Sequence, residues 1–169
     1  QDALSWLRGR EEGGFKIFSN GERLGSSLGS SDREARALEA AATTASPGQA
    51  YVLRKKRDGR LIEVASARID EVVDEVLDAL ASFSVETRLR PLLSEAATGR
   101  TEAMVGNAAL LVDVADCPAL RARAGELALR FSAEGFTLET TGPWPPYSFC
   151  DDDDAARDSA DQTAPEEAR

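Results

Sequence analysis

Histidine is absent from the 169 residues, which removes the commonest general base and metal ligand. Cysteine occurs only at Cys117 and Cys150. Two such residues form neither a disulfide framework nor metal-ligand spacing, and a reduced, cytoplasmic setting is the simpler expectation. No apolar run approaches the roughly 20 residues a membrane span needs. The opening Gln1-Asp2-Ala3-Leu4 has no basic start or apolar run of a secretory signal, and it lacks an initiator Met, which suits a fragment or a domain. Gly-x-Ser-x-Gly elbows, phosphate loops and zinc patterns are also missing. Carboxylate pairs exist, but each sits in a helical or acidic stretch where solvated charge is the default. No enzyme, cofactor or metal is expected.

What is present has the balance of a soluble globular chain, 42% hydrophobic and 30% charged, and is long enough for one domain with a sizeable core. The net charge of −10 is unevenly spread. Residues 151–169 hold eight acidic and two basic side chains, or −6, and the first 150 residues carry the remaining −4. A nearly balanced body with an acidic end lacks the basic face of a nucleic-acid binder. The expected organisation is a polar lead-in at 1–11, an α+β domain at 12–149 and a disordered acidic tail at 150–169.

In chain order, Glu12-Gly-Gly-Phe-Lys-Ile-Phe18 reads as a first strand closed by an Asn20-Gly21 turn. Residues 25–31, rich in Gly and Ser, read as a flexible loop, and Ser31-Asp32 as the cap of a short helix ending near Thr43. Ser46-Pro47-Gly48-Gln49 carries N-cap, first-position proline and capping-box signals. Ile69, Val72, Val73, Val76, Leu77 and Leu80 recur with helical spacing. Between 50 and 67 a hairpin turning at Asp58-Gly59 competes with one continuous helix over 47–82, and the Ser46 cap favours the helix. Its basic run, Arg54, Lys55, Lys56, Arg57 and Arg60, reads as a solvated face, with a binding patch as the alternative.

Residues 84–92 alternate, with Val85, Thr87 and Leu89 opposite Glu86, Arg88 and Arg90, as in a half-buried strand ended by Pro91. A loop follows over 93–102. Residues 103–112 are almost continuously apolar and read as a central strand. Asp116 and Pro118 open a helix with buried stripe Leu120, Ala124, Leu127 and Phe131, stopped at Gly135. Phe136 and Leu138 alternate with Thr137 and Glu139 in a last strand. The order β–α–β–β–α–β predicts an α+β fold, a ferredoxin-like βαββαβ sandwich with an extra short helix after the first strand. One sheet face would carry the helices, and the other is left to solvent, a partner or another domain.

The last strand leads into Gly142-Pro143-Trp144-Pro145-Pro146-Tyr147-Ser148-Phe149, which holds three of the seven prolines, one of two tryptophans and one of two tyrosines. Each proline sets φ and removes a donor, and Trp144 and Pro145 are pushed out of the α region by the prolines after them. The segment is neither helix nor interior strand. It is a stiff ribbon whose rings either strap the core or form a recognition surface; Trp144 itself favours the strap. A third reading, Pro143 to Pro146 as a PxxP ligand, lacks a basic flank.

This octapeptide, following an amphipathic helix and a short strand, resembles the C-terminal signature of the GvpF/GvpL gas vesicle proteins. Glu12-Gly-Gly-Phe-Lys16, Gly48-Gln-Ala-Tyr51-Val-Leu and Asn107-Ala-Ala-Leu-Leu-Val112 resemble further family segments in the right order. The family normally carries an α/β domain upstream, so this chain would correspond to its C-terminal half. The resemblance implies a non-enzymatic, cytoplasmic accessory or minor structural protein of gas vesicle assembly. It also implies binding to the very hydrophobic shell subunit and to other vesicle proteins. Gly142, Pro143, Trp144, Pro145, Pro146, Tyr147 and Phe149 would then be the protein-binding or structural signature. The alternative is a generic interaction module whose acidic tail recruits a basic partner. A ferredoxin-like RNA binder would need aromatic RNP motifs and the opposite charge.

Overall fold

The computed structural model describes residues 6–150; the expected tail beyond Cys150 lies outside them. Four strands form one antiparallel sheet: β1 (Arg10–Ser19), β2 (Glu86–Leu89), β3 (Ala103–Asp113) and β4 (Phe136–Trp144). Their order is β2-β3-β1-β4, so β1 and β3 are central and β2 and β4 are edges. The helices are α1 (Gly21–Ser31), α2 (Arg33–Thr44), α3 (Pro47–Ala81), the single turn α4 (Glu95–Thr98) and α5 (Cys117–Ser132).

The main core lies between the sheet and the helices on one of its faces. Phe15 and Ile17 of β1, Leu110 and Val112 of β3 and Phe136 of β4 meet Val72, Val76 and Leu80 of α3 and Leu120, Ala124, Leu127 and Phe131 of α5. The stripe expected on α5 is the stripe that is buried, and of that expected on α3 Val72, Val76 and Leu80 are buried with Ile69 and Val73 packed against them. Gly106 sits where β3 is bulged against β1; a Cβ there would lie 2.8 Å from Ile17 Cδ1, so the close approach of the two strands needs glycine.

Residues 47–81 form one helix, not a hairpin. Gly59 adds only about 1 kcal/mol of propensity cost, which tertiary packing on α2 and the core offsets. Ser46 occupies the N-cap position but makes no capping bond to the backbone; its hydroxyl lies 3.0 Å from Gln49 Oε1. Asp32 does cap α2, accepting from the Ala35 N–H at 2.8 Å.

Two expectations need correction. The Gly/Ser stretch at 25–31 is part of helix α1, not a loop. Asn20, expected in a turn, is its N-cap and accepts from Arg23 N–H at 3.0 Å. Burial of Leu24 in the core, with Leu28 packed against it, outweighs the weak helix propensity of glycine and serine.

The second correction concerns the strand over 84–92. Only Glu86–Leu89 is strand, and Leu89, on the side expected to be buried, is exposed. Arg88 and Glu86 on its polar side are half-buried instead, because residues 147–149 cross that face. The second sheet face is thus partly closed from within: Leu7 and Phe149 pack on Ala109 and Leu111, with Trp6 against them.

Candidate functional site

The segment that crosses this face begins at Gly142, near the end of β4 and immediately before Pro143. Its φ is +105°, and a Cβ would stand 2.8 Å from the Glu12 carbonyl oxygen. Only glycine lets β4 lie this close to β1 at the register shift between Glu12 and Gly14. The Gly142-Pro143 peptide is cis. Proline 143 has no N–H to give, which an edge strand tolerates, and Trp144 pairs with Glu12 as the last rung.

Past Trp144 the chain leaves the sheet. Pro145 and Pro146 lead into a 3-10 turn, Tyr147–Phe149, closed by Phe149 N–H to Pro146 O at 3.1 Å. The turn drives Phe149 into the small apolar cluster on the second face, where it is buried. The Arg88 guanidinium lies 4.9 Å from the centre of the Phe149 ring and donates to Ser148 O at 2.7 Å. Arg88 is itself held by Glu86 at 2.6 Å.

The anchor of the strap is Glu12, a carboxylate only 5% exposed. It accepts from Ser148 N–H at 2.9 Å, from the Ser148 hydroxyl at 2.8 Å and from Arg90 Nη2 at 2.6 Å. Arg90 also donates to the Ser148 hydroxyl. A buried charge is tolerated only when paired and hydrogen-bonded, and here three donors from two distant parts of the chain meet that demand. Glu12, Arg88 and Arg90 were not among the residues singled out from the sequence. Alternation assigned Arg88 and Arg90 to the polar side of their strand, and Glu12 was read only as the start of the first strand and of a segment resembling the family.

The strap therefore divides its aromatics. Phe149 is buried, whereas Trp144 is 56% exposed and Tyr147 is 72% exposed. The expectation that Trp144 straps the core is corrected: Phe149 does so, and the two larger amphipathic rings stand in solvent on a backbone held at both ends. Gly142, Pro143 and Pro145 are exposed beside them, and Pro146 is half-buried.

Behind the strap, at the start of α5, Cys117 faces Glu11 at 3.7 Å. Burial, followed by the Glu11 carboxylate, pushes its thiol pKa up, so the sulfur stays protonated and a poor nucleophile. Among the described residues no group of three or more Cys, Asp or Glu side chains could hold a metal ion, and no helix is long and apolar enough to cross a membrane.

Residues 1–151 match the family model described as gas vesicle synthesis protein GvpL/GvpF. Gas vesicle protein L2 of Halobacterium salinarum is 31% identical over 128 residues, covering 72% of this chain and 43% of that protein. Gas vesicle protein L1 of the same organism is 26% identical over 156 residues, covering 90% of this chain and 54% of that one. The chain thus spans about half the length of these relatives.

Crystal structures of the gas vesicle protein GvpF share the fold. That from Anabaena superposes with a TM-score of 0.62 at 16% identity, over 88% of this chain and 57% of that one. That from Microcystis aeruginosa does so with a TM-score of 0.56 at 14% identity and the same coverage. With the family model spanning every described residue, the strap included, the chain belongs to the GvpL/GvpF family of gas vesicle synthesis proteins.

Proposed function

We propose that this chain is a non-enzymatic accessory or minor structural protein of gas vesicle assembly, working in the cytoplasm at the vesicle. In this reading it binds the hydrophobic shell subunit and other vesicle proteins, and the signature strap supplies part of the contact. The observation that carries it is the exposure of Trp144 and Tyr147 on a strap anchored through Phe149 and Ser148. Rings already held in place lose little entropy on binding. A very apolar subunit also needs a soluble partner to cover its surface before assembly. The strand order β2-β3-β1-β4, with α3 and α5 on one face, supports the ferredoxin-like βαββαβ reading, with α1 and α2 both inserted after β1.

The test is co-purification with the shell subunit. Trp144→Ala and Tyr147→Ala should lose the subunit while keeping the thermal midpoint, since exposed substitutions stay within about 0.5 kcal/mol. Phe149→Ala should lower the midpoint, because truncating a buried Phe costs about 3–5 kcal/mol. Full retention of the subunit by the double variant of Trp144 and Tyr147 would sink the proposal.

A further inference from the structure

A second surface lies at the other end of the molecule, and its argument does not depend on the reading of the strap. Helix α3 is about 52 Å long at 1.5 Å per residue, but only its part from Ala65 onward reaches the core. Its first turns pack against α2 alone, forming a two-helix arm. Buried Ala35, Ala42 and Ala50 bring the helices together. Arg57 pairs with Glu39, and Arg60 pairs with Asp32 at 3.2 Å and Glu34 at 3.3 Å.

The side of α3 turned away from α2 is composed differently. At about 100° per residue, Tyr51, Lys55 and Ile62 fall in one narrow sector, with Gly48, Val52 and Gly59 beside them. Arg54 and Lys56 then flank this sector on opposite sides. Tyr51 is 68% exposed, Val52 50% and Ile62 73%. A Cβ at Gly48 or Gly59 would meet nothing within 4 Å, so both positions are shallow and open. Asp58 and Glu63 lie on the same face, just inside Arg54 and Lys56, and each is ion-paired to a cation turned towards α2: Asp58 to Arg57 at 2.7 Å and Glu63 to Arg60 at 3.4 Å. Among the described residues no carboxylate pairs with Arg54, Lys55 or Lys56. In a chain of net charge −10, an exposed apolar stripe that Arg54 and Lys56 flank and Lys55 interrupts, with no carboxylate paired to any of the three among the described residues, is a local inversion of the surface.

We propose that this outer face of the arm docks an amphipathic helix of a partner protein, with an apolar stripe flanked by carboxylates. Apolar side chains of that helix would lie over Gly48, Val52, Gly59 and Ile62, in the manner of helix pairing at small residues. Carboxylates on its two edges would meet Arg54 and Lys56, giving orientation and a salt-dependent association rate. The complementarity favours a protein over a nucleic acid or an anionic membrane. Two cations on opposite edges of a face, with exposed apolar side chains between them, match one helix better than a run of phosphates.

The test uses the full chain and a fluorescent synthetic peptide of about 18 residues, long enough to hold a helix, with leucines on one face and glutamates on both edges. Binding is read by anisotropy. The expected result is saturable binding that weakens at least tenfold for the R54E/K56E double variant. Gly59→Gln should weaken it similarly while holding or raising the melting temperature, because it improves helix propensity in open space and only obstructs the approach. A peptide with lysines at the edges should bind at least tenfold more weakly than the glutamate peptide. The proposal is overturned if the variants bind the glutamate peptide as the parent does, or if the lysine peptide binds equally. Tighter binding of an oligonucleotide or of phosphatidylglycerol vesicles, lost in R54E/K56E, would also overturn it. So would a dimer in sedimentation that Gly59→Gln dissolves, since the occupant would then be a second copy.

Discussion

Replacing Glu12 with Gln changes almost no volume and removes one charge from the anchor of the strap. The carboxylate receives three donors: the Ser148 N–H, the Ser148 hydroxyl and Arg90. Hydrogen bonds to charged groups contribute about 1.5–3 kcal/mol each, but not all of that is lost. The Glu12 side chain is 6% exposed and that of Arg90 41%, so water can replace the carboxylate at Arg90. Gln keeps one acceptor oxygen for Ser148, while its amide N–H groups face a remaining donor.

The net loss is about 2 kcal/mol, which at about 1.4 kcal/mol per tenfold is roughly a thirtyfold shift in strap opening. Burial of Phe149, about 1.5–3 kcal/mol, still favours the closed strap. Native-state hydrogen exchange reads this directly. The Ser148, Phe149 and Cys150 amides should exchange about 30 times faster in Glu12→Gln, with little change at Leu110 and Leu111. If the strap amides are unaffected, or speed up only as much as those of β3, Glu12 braces the sheet and the latch is misassigned.

Gly106→Ala should lower the urea midpoint by an amount equal to about 1–3 kcal/mol, since the new methyl group would meet Ile17 at 2.8, 3.1 and 3.2 Å. An unchanged or raised midpoint would show that β1 and β3 are less tightly juxtaposed. A second expectation concerns acid. The Arg68 hydrogen bond holds the Glu134 carboxyl below its usual pKa, and the Ala35 N–H followed by Arg60 does the same for Asp32. Because the folded values are the lower ones, the stabilisation is complete above the unfolded range near pH 4. It is lost as pH falls through that range towards the folded values. The Glu134→Gln variant should therefore show a shallower fall in denaturant midpoint below about pH 4–5; an identical acid limb would contradict the role given to Arg68.

Much of the framework was legible because burial repeats with the period of the element. The stripe at Val72, Val76 and Leu80 and that at Leu120, Ala124, Leu127 and Phe131 point inward as their spacing requires. The continuous apolar run of β3 marks a strand paired on both sides. Asp32 and Pro47 mark helix starts through local chemistry. Helix α1 was hidden because its signal was two leucines in a background of glycine and serine, and their effect depends on a core built by residues far along the chain.

The sequence by itself determined the family and the order of the four strands and of the two helices that face the core, properties of neighbouring residues or of a linear pattern. Only the tertiary structure decided which ring of the ribbon at 142–149 is buried and which are displayed. It brought Glu12, Arg90 and Ser148 together from separations of 78 and 136 residues, and such an encounter leaves no periodic trace. It also decided that, among the described residues, Arg57 and Arg60 are paired with carboxylates while Arg54, Lys55 and Lys56 are not. Five basic residues in one run look alike in sequence; the turn of the helix and the position of α2 separate them.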